Sequence, residues 1–214
     1  MIGWGPLGDL PPIARWGILS VAGLLLSLLV GAGVWTFLQH REATARQAFA
    51  AASASYRQAM ASPEPARLAT AAQALTQFLR DYPRISAAAQ ASYLLGNVQY
   101  QRREYDAALS AFGEAARRDA GSVGALSRLG AGYTWEAKGD LARALETYRD
   151  ALQGRQPKEF LYGELLLATG RVQEQLKQPA AAIATYRQLL REVPDSARAE
   201  EVRIRLAILG ARAA

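Results

Sequence analysis

From Gly17 to Leu38 the chain reads GILSVAGLLLSLLVGAGVWTFL, 22 residues without a charge, closed by Arg15 on one side and by His40 and Arg41 on the other. As a helix this run is roughly 33 Å long, enough for a hydrocarbon core of about 30 Å. Trp16 and Trp35 sit near its two ends, where amphipathic rings favour the membrane interface. A cleavable signal would need an apolar stretch of only ~7–15 residues. An uncleaved transmembrane helix over 16–38 is therefore expected, after a short tail at 1–15. Within it Gly23, Ser27 and Gly31 fall four apart on one face, a spacing that lets two helices approach closely in lipid.

Beyond Leu38 the pattern changes to Ala, Leu, Gln, Arg and Glu with few β-branched runs, a composition that favours helix. Breakers recur at Pro63, Pro65, Pro83, Gly121, Gly139, Gly154, Pro157, Pro179 and Pro194, leaving segments one helix long. The expected organisation is a juxtamembrane helix at 39–62 and a helical domain at 63–214. Nothing between Leu38 and Met60 breaks a helix, so the membrane segment can run on as one rod.

Three stretches, 91–116, 127–152 and 165–194, align. Each carries a glycine, an alanine 12 residues on and an aromatic 4 further: Gly96/Ala108/Phe112, Gly132/Ala144/Tyr148 and Gly170/Ala182/Tyr186. Pro194 follows Gly170 by 24, and successive glycines lie 36 and 38 apart. Read physically, small residues let paired helices nest: the glycine of helix A should face the alanine of helix B, with the aromatic on the same face of helix B. One such hairpin cannot bury its apolar face alone, so several must stack. The pattern resembles the tetratricopeptide repeat through about residues 66–210. The fold class expected is all-α, an N-terminal transmembrane helix followed by an α-solenoid of tetratricopeptide hairpins. Ala74, Phe78 and Pro83 mark a degenerate first repeat, whose helix A would lie within 42–60 and include Phe49, Tyr56 and Met60. Asp195 or Ser196 can cap a last helix with an apolar stripe of Val202, Leu206 and Leu209.

In that family helix A lines the concave surface. Carried onto this chain, the groove positions are Tyr93, Asn97 and Tyr100; Leu129, Tyr133 and Glu136; and Leu167, Arg171 and Glu174. Its aromatics are candidate anchors for a bound peptide, although Tyr93 and Leu129 can equally pack between repeats. The Lys/Asn/Arg clamp for a terminal carboxylate is not visible, because Asn97 has no basic partner at the matching position. With its span, its alanine-rich helix ending SASYRQAM and its short repeats, the chain resembles the single-pass ancillary subunit of the Sec translocon. That family shares its repeat type with the periplasmic cell-division coordinator. The resemblance implies an inner-membrane anchor and a periplasmic array that meets translocon subunits, chaperones or exported clients. The basic residues flanking the span, Arg15 against Arg41 and Arg46, lean the other way by one charge. The alternative is an interaction module of another envelope complex, in cell division, pilus assembly or polysaccharide export.

Composition narrows the chemistry further. Cysteine is absent and His40 is the single histidine, which removes most zinc sites and catalytic triads. Carboxylate pairs such as Glu104/Asp106 and Glu200/Glu201 are adjacent or alternate, so on a helix they diverge. The glycines at 31, 33, 130 and 132 lack a phosphate-loop context. No enzyme activity, cofactor, metal or small-molecule substrate is expected. The net charge of +6 is dispersed, with Arg102–Arg103 and Arg117–Arg118 the longest basic runs. That describes a solvated surface better than a nucleic-acid groove.

Overall fold

The computed structural model describes residues 12–211, with the side chains at 12–19, 22, 34 and 37–39 outside the description. The expected tail thus falls mostly outside the described residues, as does the side chain of Trp16. Among the described residues the chain forms nine helices: α1 (Pro12–Ala61), α2 (Pro65–Asp81), α3 (Ala87–Gln101), α4 (Tyr105–Arg118), α5 (Ser122–Lys138), α6 (Leu141–Leu152), α7 (Tyr162–Gln175), α8 (Pro179–Glu192) and α9 (Ala199–Ile208). Two compact units divide at Gln47/Ala48.

In the first unit, α1 runs uninterrupted through the apolar stretch. Its described side chains there are exposed, with Val21, Leu24, Leu25, Leu26, Leu28, Leu29, Val30 and Trp35 between 54% and 71% accessible. Among the described residues no helix is long and apolar enough to cross a membrane. The transmembrane helix expected at 16–38 is therefore not established here. Nor do Gly23 and Gly31 meet anything: a Cβ at either would have open space around it, and Ser27 donates to the Gly23 carbonyl at 2.9 Å.

The second unit begins inside α1, at Ala48. Ala52 and Ala59 of α1 are buried in a cluster with Leu68, Leu75, Phe78, Leu94 and Val98, and Phe49, Tyr56 and Met60 pack against it. The segment after Ala48 serves as the first helix of a hairpin whose second helix is α2. Then α3/α4, α5/α6 and α7/α8 follow as hairpins, and α9 covers the end with Val202 and Leu206 fully buried. Core clusters around Leu129, Leu145 and Leu165, and around Leu166, Leu189 and Val202, continue the packing.

Local signals set these helices. Pro65 and Pro179 stand in the first turns of α2 and α8, where a missing N–H is harmless and a fixed φ is already helical. Asp140 caps α6, its carboxylate accepting from the Arg143 N–H at 3.1 Å. The turns inside three hairpins place Arg103, Gly139 and Lys177 at φ +61°, +81° and +59°. In each, the next N–H reaches back to a helix carbonyl: Glu104 to Gln99, Asp140 to Trp135 and Gln178 to Gln173, at 2.9, 3.0 and 2.9 Å. This is the left-handed helix stop. Glycine fits it without strain, whereas arginine and lysine are forced into it.

Each repeat glycine meets the aromatic of its own hairpin. A Cβ at Gly96 would overlap the Phe112 ring, one at Gly132 the Tyr148 ring and one at Gly170 the Tyr186 ring. The alanines Ala108, Ala144 and Ala182 are fully buried, but the close approach is made by a flat ring lying across a bare backbone.

Candidate functional site

The face presented by the first helix of each hairpin was the expected partner surface, and the structure divides its nine residues into three groups. Leu129 and Leu167 are 7% and 4% exposed and belong to the core. Tyr93 is half-buried and packs on Phe112, ring centres 6.0 Å apart. These three hold repeats together, because their positions point between neighbouring hairpins.

Glu136, Arg171 and Glu174 form the second group, and they are spent on one another's repeats. Glu136 accepts the Tyr148 hydroxyl at 2.6 Å and Arg171 at 2.9 and 3.2 Å. Gln175 adds a bond at 3.3 Å. One hairpin on, Glu174 accepts the Tyr186 hydroxyl and, at 3.2 Å, Arg205 of α9. The two clasps share a register: glutamate four residues after the glycine, tyrosine sixteen after it, arginine on the next first helix. Burial is the main force raising the Tyr148 and Tyr186 phenol pKa values, with the accepting carboxylate second. Both hydroxyls stay protonated donors throughout the physiological range.

The third group, Asn97, Tyr100 and Tyr133, lines a cavity of about 260 Å³ together with Tyr56, Met60, Gln101, Phe112 and Gly130. Here the clasp register holds Tyr100 in place of glutamate, Phe112 in place of tyrosine and Tyr133 in place of arginine. None of the residues lining the cavity is a carboxylate or a guanidinium that could draw the helices' side chains together. Phe112 lies flat between Gly96 and Gly130, and the space above it stays open. Asn97 donates to the Tyr56 hydroxyl at 3.3 Å. Tyr133 sits edge-on to Tyr148 at 5.9 Å and under the Arg171 guanidinium at 5.6 Å. Burial raises the phenol pKa values of Tyr56, Tyr100 and Tyr133. The lining is therefore neutral, aromatic and supplied with amide and hydroxyl donors. Tyr56 and Met60, four apart on α1, were legible as the apolar face of a first helix, but not as part of a cavity.

Family models, each described as tetratricopeptide repeat, match residues 66–123, 95–160 and 164–196. The chain is a tetratricopeptide repeat protein, a fold that is typically a non-catalytic scaffold for protein interaction, and no enzymatic family is indicated. A tetratricopeptide repeat protein from Parabacteroides merdae aligns over 76% of this chain and 59% of its own length, with 19% identity and a TM-score of 0.61. PilF from Pseudomonas aeruginosa aligns over 78% of this chain and 69% of its own, with 19% identity and a TM-score of 0.57. At that identity the likeness is one of fold. The chain spans less than two thirds of the Parabacteroides protein, and no curated protein matches it.

Proposed function

We propose that the chain is a membrane-tethered scaffold that binds other proteins on the first-helix face of its repeats, as an ancillary, chaperone-like subunit at the Sec translocon. One observation carries the tether: α1 is apolar and exposed around its whole described circumference between 21 and 30 before it enters the repeat core as a hairpin helix. A helix that is hydrophobic all round needs a lipid or protein cover. The uncharged run of 22 residues has the length for lipid. The repeat fold supports the binding role. Resemblance to the translocon subunit favours an inner membrane with the repeats on the periplasmic side.

Two measurements test this reading. Alkaline phosphatase fused after Ala214 is expected to be active, and the chain to resist alkaline extraction from membranes. An inactive fusion beside an active cytoplasmic reporter would overturn the periplasmic placement, and extraction would overturn the tether. A photo-crosslinker at Gln101, exposed at the cavity's edge, is expected to capture translocon subunits, chaperones or clients in intact cells. Capture of cell-division or export components alone would move the scaffold to another envelope complex.

A further inference from the structure

The hairpins are joined by connections of unequal length. Residues 82–86, 119–121 and 193–198 link α2 to α3, α4 to α5 and α8 to α9, while 153–161 links α6 to α7 and is the longest. Long connections in a compact array tend to carry function. This one is held in place. The Arg155 side chain, 15% accessible, donates from Nε to the Ala151 carbonyl at 2.7 Å and from Nη1 to the Phe160 carbonyl at 3.4 Å. The Glu159 carboxylate accepts from the Gln156 N–H at 3.1 Å. At the end of the connection Leu161 takes φ +66°, a costly angle for a bulky residue. Unlike Arg103 and Lys177, it ends no helix. Leu161 packs on the core around Leu129 and Leu165, and its neighbour Phe160 stands 52% exposed.

Phe160 lines a cleft of about 620 Å³ between residues 157–164 and 192–198, within the ~300–1,000 Å³ of sites that hold a ligand. The cleft shares no lining residue with the cavity at Asn97, Tyr100 and Tyr133. Its charged lining is Glu159, Glu164, Glu192 and Asp195 against Lys158 and Arg198. On a chain of net charge +6 this is a local reversal of sign, unfavourable to phosphates and favourable to cations. Three of the carboxylates have partners. Glu159 lies 3.5 Å from Arg155, Glu164 takes Arg198 at 2.9 Å, and Glu192 accepts the Tyr162 hydroxyl at 2.6 Å and Gln188 at 3.1 Å. Asp195 is exposed and has none among the described residues. An unpaired carboxylate and an exposed ring on one cleft match a long cationic side chain, whose stem covers the ring while its head reaches the acid.

We propose that this cleft is a second docking site, which takes an arginine or lysine from a basic segment of another protein. The stem of that residue lies on Phe160 and its charge meets Asp195. Lys158 belongs to the same lining and opposes the incoming charge, so it limits the affinity. The site is separate from the first-helix face and stands independently of the tether and of the translocon.

The probe is a random-peptide display library panned on the full chain in detergent micelles, after depletion on the Asp195→Lys variant. Peptides that survive depletion are expected to share an arginine or lysine. Phe160→Ser and Asp195→Lys each change an exposed side chain, so helical circular dichroism and melting temperature should hold. Each should weaken those peptides by tenfold or more, roughly the loss of one interface anchor, and raised salt should weaken them further. Lys158→Glu should tighten them several-fold, a gain that apolar docking alone would not show. Selected peptides without a basic residue, or indifferent to both Phe160→Ser and Lys158→Glu, would overturn the chemistry of the cleft. A library that enriches nothing after depletion would overturn the site, and the Gln101 crosslink would judge the first-helix face separately. Dimerisation in micelles that Asp195→Lys abolishes would assign the cleft to a second copy and overturn the separate partner.

Discussion

Tyr100 and Glu136 stand at the same place in successive hairpins, four residues beyond Gly96 and Gly132. Around Glu136 a phenol, a guanidinium and an amide converge within 3.3 Å. Around Tyr100 there is another tyrosine, Tyr105, with ring centres 5.9 Å apart, and a cavity. The backbone is the same and the glycine–ring contact is the same, yet one interface is closed by charge and the other held open by aromatics. Nesting and recognition are thus carried by different residues of the repeat. The glycine and the ring make any hairpin pack, and the two positions flanking them decide whether its inner face is used internally or offered outward.

The largest expected effect tests what the interfaces share. Tyr148→Ala and Phe112→Ala each remove a ring buried to 1% or less, and each should destabilise the full chain by about 3–5 kcal/mol. Denaturant unfolding followed by circular dichroism would measure it. If Phe112→Ala proves mild, the open interface is not built on the same ring packing.

Removal of the closing group should separate the two interfaces. Glu136→Ala strands the buried Tyr148 hydroxyl and unpairs Arg171, with an expected loss of about 1–3 kcal/mol. Tyr100→Ala at the equivalent place removes a half-exposed ring and should cost under about 1 kcal/mol. Equal losses in parallel melts would erase the distinction.

Alkaline pH should act first on the closed side. Burial and carboxylate bonds raise the folded-state pKa values of Tyr148 and Tyr186. A group with a raised folded pKa stabilises fully below its unfolded value, near ~10 for tyrosine, and that stability is lost as pH rises through the folded value. Unfolding above about pH 10 should coincide with the phenolate absorbance step. Phenolate absorbance that rises well before unfolding would show the hydroxyls to be accessible.

The smallest effect lies in the hairpin turns. Arg103→Gly should stabilise by about 0.5–1 kcal/mol and Gly139→Ala destabilise by a similar amount, since both positions hold left-handed backbone. Thermal melts of the pair would check the opposite signs.

Much of this architecture could be read in the residues directly. The triplets at Gly96, Gly132 and Gly170, the breakers at Pro65 and Pro179 and the Val202/Leu206 stripe are local signals, and the helices formed in the segments they marked out. The site was legible only in part. Asn97, Tyr100 and Tyr133 do line one cavity, but Leu129 and Leu167 turned into the core and Glu136, Arg171 and Glu174 into clasps. A position number within a repeat says which way a side chain starts out from its helix. It does not say what the neighbouring hairpin places in front of it.

The sequence by itself determined the helices, their pairing and the long apolar run ahead of them, because helix propensity, breakers and small-residue spacing act over one or two turns. The tertiary structure alone decided which first-helix positions turn into the core, which pair with the next hairpin and which interface stays open. Those outcomes depend on distances between residues some 35 positions apart, such as Glu136 and Arg171, which no local pattern encodes.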